Sequence, residues 1–212
     1  MLPPIPQKLW KIDASTVGEH FFLDSADACF YVWEYAARKG YDFSPANNLI
    51  WNLKIKPSVL EGSPLRYRHK LESILHAAEA LRAFISREFV EVSATFIPIP
   101  CSKVVGDPEY DNRLSRILSI AFSGWKADVR DALQLTRSTL ADHESAERLG
   151  FDELLGITSA AGSMGIEPRP IVVIVDDVLN SGKHFKVAQQ RIRERYPGVE
   201  VRGLFLARCV RD

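Results

Sequence analysis

The chain has 212 residues, 46% of them hydrophobic and 25% charged, the make-up of a globular protein of one domain or one elaborated domain, which excludes a disordered chain. Lysine plus arginine and aspartate plus glutamate each number 27, so the formal net charge is zero. That balance gives no general electrostatic grip on nucleic acid or an anionic membrane, although a local basic patch is compatible with it, and no apolar run approaches the length of a membrane span.

Met1 to Pro6 lacks a basic stretch followed by an apolar core, so no secretory signal is read there and a cytoplasmic location is expected. Ser25 is placed to cap a helix carrying Ala28, Phe30, Tyr31, Val32 and Tyr35 and ending near Gly40; its aromatic residues read as core packing. Leu49 to Ile55 predicts a short strand or a helix end before Pro57. Between Tyr67 and Phe89, Leu71, Ile74, Leu75, Ala78, Leu81 and Ile85 follow helical spacing. Ala94 to Pro100 predicts a buried strand ending in prolines, and Leu114 to Phe122 a helix. Lys126 to Gly150 is polar, with a long loop expected at its centre. Ile171 to Val175 is a continuous apolar run, as in a central parallel strand. A helix over Phe185 to Tyr196, a turn at Pro197-Gly198 and a strand over Val199 to Ala207 complete one βαβ unit, so the fold class is α/β.

Cys29, Cys101 and Cys209 form no CxxC pair, which argues against both a disulfide framework and a zinc ribbon. The five histidines are scattered, with no metal-ligand spacing. The densest chemistry lies in Ile171 to Phe185: an apolar strand, two carboxylates (Asp176 and Asp177), a small polar loop with Gly182, then a helix. Ligands in open α/β sheets bind at the carboxyl ends of strands, and the N–H groups of such a loop and helix start suit a phosphate. Paired acids beside a phosphate site make sense as acceptors for sugar hydroxyls or as neighbours of a divalent cation. Gly182-Lys183 is not a Walker A loop, which would need glycine at Asp177 and Ser or Thr at His184. The plainer alternative is a strand–helix connection with incidental acids.

This segment resembles the PRPP-binding motif of type I phosphoribosyltransferases: two acids, two apolar residues, two small hydroxyl residues, glycine, any residue and threonine. Asp176, Asp177, Val178, Leu179, Ser181 and Gly182 match it; Asn180 and His184 stand where threonine is usual. The resemblance implies a parallel-sheet, Rossmann-like fold over residues 47–212, with residues 1–46 as an N-terminal extension or hood. Ile97 to Lys103 is similar to the pyrophosphate loop of the ComF-like competence branch, here without its zinc ribbon, with Ser102 and Lys103 facing pyrophosphate. Leu133 to Arg148 resembles the flexible loop of that branch, with Arg137 as the phosphate contact. Leu49 to Lys54 weakly resembles its segment before the first core helix. Tyr110 and Arg113 are candidates for contact with substrate or with a second copy of the chain in a homodimer; the alternative is a solvated turn capped by Asp111.

The implied activity is transfer of ribose 5-phosphate from PRPP to a nitrogenous base, with release of pyrophosphate. Asp176 and Asp177 would hold the ribose hydroxyls, Asn180 to His184 (Lys183 among them) the 5-phosphate, and Ser102, Lys103 and Arg137 the pyrophosphate. Mg²⁺ would be bound mainly through PRPP near the two acids rather than by a protein cage. The rival implication is a non-catalytic module that senses PRPP or a nucleotide, linked to nucleic-acid uptake or defence. Replacing both acids with asparagine is expected to abolish PRPP binding and spare the fold.

Overall fold

A computed structural model describes residues 1–139 and 149–210. Its centre is a six-stranded sheet ordered β1-β2-β8-β7-β3-β4. The strands are β1 (Trp10–Lys11), β2 (Ala28–Ala36), β3 (Ala94–Pro98), β4 (Asp128–Val129), β7 (Ile171–Leu179) and β8 (Glu200–Val210). Only β1 runs antiparallel to its neighbour; β2, β8, β7, β3 and β4 are parallel. A separate two-stranded ribbon pairs β5 (Leu133–Leu135) with β6 (Thr158–Ala160). The fold is therefore α/β with a mostly parallel mixed sheet.

Side chains point to both faces of the central strands, so the sheet feeds two cores. On one face Val32, Phe96, Val173, Val175, Leu204 and Leu206 pack against α1 (Pro45–Leu53), α3 (Pro64–Phe84) and α4 (Arg113–Ala121). On the other, Ile97, Val172, Ile174 and Phe205 pack against α6 (Lys183–Arg195). Two short helices, α2 (Pro57–Leu60) and α5 (Phe151–Ile157), complete the set. Local chemistry starts the helices: Pro45 and Pro64 occupy the first turns of α1 and α3, and the Ser44 and Ser63 side chains accept N–H bonds from Asn47 and Arg66. Among the described residues, no helix is long and apolar enough to cross a membrane.

The helix expected between Ser25 and Gly40 is instead β2, paired in parallel with β8 from Ala28↔Arg202 to Ala36↔Val210. Its aromatic and β-branched residues suit a strand. Cys29, Tyr31, Val32 and Trp33 are all buried because both faces of the sheet are covered, which erases the period-two alternation. β1 and β2 thus belong to the same sheet as the rest, and residue 46 does not divide it. Leu49 to Ile55 is the end of α1 and no strand.

Gly203 of β8 shows how tightly α6 is seated. A Cβ there would stand 2.7 Å from Phe205, 2.8 Å from the Cys29 sulfur and 3.1 Å from Phe185. Gly203→Ala is expected to destabilise the protein by about 1–3 kcal/mol through overpacking. Urea denaturation checks this as a lowered midpoint with an unchanged slope.

Candidate functional site

The connections out of the sheet centre diverge. The chain leaves β3 through α4 on one face to reach β4 on one side, whereas it leaves β7 through α6 on the opposite face to reach β8 on the other. Strand order reverses between β3 and β7, so a crevice opens outside their carboxyl ends, the place where open α/β sheets bind ligands. The loop after β3 carries Ser102 and Lys103; the loop after β7 is Asn180–Gly182. The two strands are in register, with Pro98 opposite Val175 immediately before Asp176.

The two acids go to different places. β7 runs on to Leu179 because β8 extends to Val210 and pairs with it, Asp176 facing Phe205 and Leu179 facing Arg208. Adjacent strand residues point to opposite faces. Asp177 lies on the face of α1 and α4. There Lys54 Nζ meets one of its carboxylate oxygens at 3.1 Å, and Arg113 Nη2 and Nε meet the other at 2.5 and 3.1 Å. Burial alone would raise the Asp177 carboxyl, but the charges of Lys54 and Arg113 outweigh it and hold the group well below the usual carboxylate range. Burial works against the Arg113 charge as well, and Asp177 and Asp111 overcome it. Arg113 Nη1 also donates to Asp111 at 2.9 Å, and buried Lys70 donates to Asp111 and to the Ile55 carbonyl, each at 2.6 Å. Burial pulls the Lys70 ammonium below its ordinary value. Alternating charges from α1, α3, α4 and β7 are thereby tied beneath the crevice.

Asp176 lies on the α6 face and lines a cleft with Pro98, Tyr110, Asn112, Ser115 and Asp131. One of its oxygens accepts the Asp177 N–H at 2.7 Å, and the other stands 3.9 Å from His184 Nδ1. The Ser115 hydroxyl donates to Asp131 at 2.6 Å. The enclosed part of the cleft is about 40 Å³. That holds a water or so, and a larger ligand would lie across its open mouth.

Gly182 caps α6 with φ +83°, a left-handed conformation that suits glycine and lets the chain turn from strand to helix within three residues. Asn180, Ser181 and Gly182 form the loop, and His184 is the second residue of α6. The side chains of four other residues expected at the ligand are engaged elsewhere in this structure. Val178 and Leu179 are strand residues whose side chains belong to the two cores, so they offer only backbone. The Lys183 side chain is buried and donates to the Leu149 carbonyl at 2.7 Å, not into the loop. Arg137 pairs with Glu153 at 2.8 Å, with both side chains at least half exposed, a contact of small energetic weight.

After β3, Thr139 donates its N–H to the Ser102 carbonyl at 2.7 Å, and Ser138 Oγ accepts from Val104 N and donates to Asp107. The Ser138 bond, the Glu109 N–H and the Lys103 charge hold Asp107 below its ordinary value. Of the flexible-loop expectation, Leu140 to Arg148 lie outside the described residues. Cys101 is half-buried, its sulfur taking the Asp111 N–H at 3.4 Å. Among the described residues, no group of three or more His, Cys, Asp or Glu is placed to hold a metal ion. Neither a protein-family model nor a curated protein matches this chain.

Sequence reasoning gave Lys54 little weight, left Arg113 between ligand and turn, and missed Lys70. A lysine after an apolar helix end was the only available signal for Lys54.

Proposed function

We propose that this protein binds PRPP in the crevice between β3 and β7, and transfers its ribose 5-phosphate to a nitrogenous base with release of pyrophosphate. The observation that carries the reading is the switch point. There Asp176 and the Asn180–His184 loop at the end of β7 stand beside the Ser102–Lys103 loop at the end of β3. The resemblance to type I phosphoribosyltransferases, ComF-like branch, supplies the ligand.

In this reading Asp176 accepts hydrogen bonds from the ribose hydroxyls. The loop N–H groups and the start of α6 hold the 5-phosphate. Ser102 donates its hydroxyl and Lys103 its charge to the pyrophosphate. The bond from ribose C1 to a pyrophosphate oxygen breaks, its electron pair leaving with pyrophosphate. A bond from C1 to the acceptor nitrogen forms, and that nitrogen loses its proton to water. The protein's contribution is positioning and electrostatic stabilisation of a cationic C1 and an anionic leaving group. No carboxylate cage exists among the described residues, so a Mg²⁺ would be held mainly by PRPP near Asp176 and would supply charge neutralisation of the leaving group.

A second reading, a PRPP- or nucleotide-sensing module without transfer, is favoured by one observation: both oxygens of Asp177 are occupied by Lys54 and Arg113, so of the paired acids at the end of β7 only Asp176 faces the crevice. Calorimetric titration with PRPP, with and without Mg²⁺, followed by a pyrophosphate-release assay across a panel of bases, separates the two. Binding with release for one base supports the transferase. Binding without release supports the sensor. Absence of binding in both conditions sinks both.

A further inference from the structure

Residues 17–23, from the part of the chain to which the sequence assigns no role, lie across the loop after β7. The His20 ring is buried, 1% exposed, and its Nδ1 meets the Asn180 carbonyl. A carbonyl only accepts, so Nδ1 carries the proton and donates. Two residues on, the Phe22 N–H donates to the Ser181 carbonyl at 2.9 Å. Leu23 closes over Gly182: a Cβ there would stand 2.7 Å from Leu23 Cγ and Cδ2. The segment is itself braced by a turn, with His20 N bonded to the Val17 carbonyl at 3.0 Å and Leu23 N to the His20 carbonyl at 2.8 Å. Glu19 is tied to Arg208 of β8 at 3.0 Å.

A trans peptide group points its carbonyl and its N–H in opposite directions. With the Asn180 and Ser181 carbonyls drawn to the N-terminal segment, the N–H groups of Ser181 and Gly182 face away from it. We propose that His20 is a positioning residue: with Phe22 it fixes these two peptide planes so that their amides present themselves together to a phosphate. The proposal rests on the phosphate reading of this loop given above, and it gives residues 17–23 a role in ligand affinity. His20 does not touch the ligand, because it stands on the carbonyl side of the loop.

The test is calorimetric titration of ribose 5-phosphate and, separately, pyrophosphate into wild type, His20→Ala and His20→Asn. His20→Ala is expected to weaken ribose 5-phosphate by about tenfold, the worth of one misdirected hydrogen bond, with pyrophosphate affinity unchanged. His20→Asn, whose amide N–H takes the place of Nδ1–H, is expected to recover most of that loss. Should His20→Ala not fold, Phe22→Pro removes the neighbouring N–H while sparing His20, and the same selective loss is expected. Ribose 5-phosphate affinity equal to wild type in a folded variant, or equal weakening of both ligands, overturns the proposal. Wild-type protein that ignores ribose 5-phosphate overturns the phosphate reading and this proposal with it.

Discussion

Asp177→Ala is expected to lower unfolding free energy by about 3 kcal/mol, read as a shifted urea midpoint. The substitution leaves Arg113 and Lys54 facing a gap. Removing one partner of a buried pair typically costs about 3–5 kcal/mol, because the remaining charge stays desolvated. The low end applies because Arg113 keeps Asp111 and the Lys54 side chain is 30% exposed. Asp177→Ala combined with Arg113→Leu should lose less than the sum of the two single changes, since the pair acts as a unit. The effect depends on pH in a definite sense. The carboxyl is depressed in the folded protein, so its contribution is fully present above the unfolded value of about 3.9 and is lost as pH falls through the folded one. The gap between wild type and Asp177→Ala should stay constant from about pH 8 to 5 and shrink below about 4. A gap under about 0.5 kcal/mol at neutral pH would mean the ion pairs do not form.

Asp176→Asn should behave in the opposite way, with PRPP affinity falling by about 100-fold or more and unfolding free energy changing by less than about 0.5 kcal/mol. Hydrogen bonds to a charged group are worth about 1.5–3 kcal/mol each, and in the proposed reading Asp176 accepts them from the ribose hydroxyls. Asparagine keeps an oxygen for the Asp177 N–H, so the strand is undisturbed. Calorimetry together with urea denaturation checks both halves; affinity within threefold of wild type would remove Asp176 from the site. On these expectations the two acids separate into one for binding and one for stability. The buried ion pairs of Asp177 set the expected stability loss there against the expectation that both acids could be replaced without touching the fold.

That separation was available in principle from the sequence. Two consecutive strand residues point to opposite faces, so both could serve one sugar only if the strand stopped before them. The apolar run does break at Asp176, which suggests such a stop. The length of β8, a partner far along the chain, carries β7 on to Leu179. Where local and spatial order coincide, as in β7–α6–β8, the unit was legible from its apolar strand, its loop and its Pro197-Gly198 turn. β2 was not, because aromatic residues buried on both faces carry no alternation to read. Nor were Lys54, Arg113 and His20, whose partners lie on elements remote in sequence.

The pairing of β2 with β8 has a consequence for biogenesis. β2 is synthesised well before its parallel partner β8, with β3, β4 and β7 between them. Until β8 emerges, a strand rich in aromatic residues waits with an open backbone edge, the kind of species that invites aggregation and draws chaperones. Contacts this distant along the chain also slow folding. Chains ending before Glu200 would lack the strand that joins β2 to β7, leaving each with one open edge, so a premature stop there should yield insoluble protein rather than a shortened but functional one.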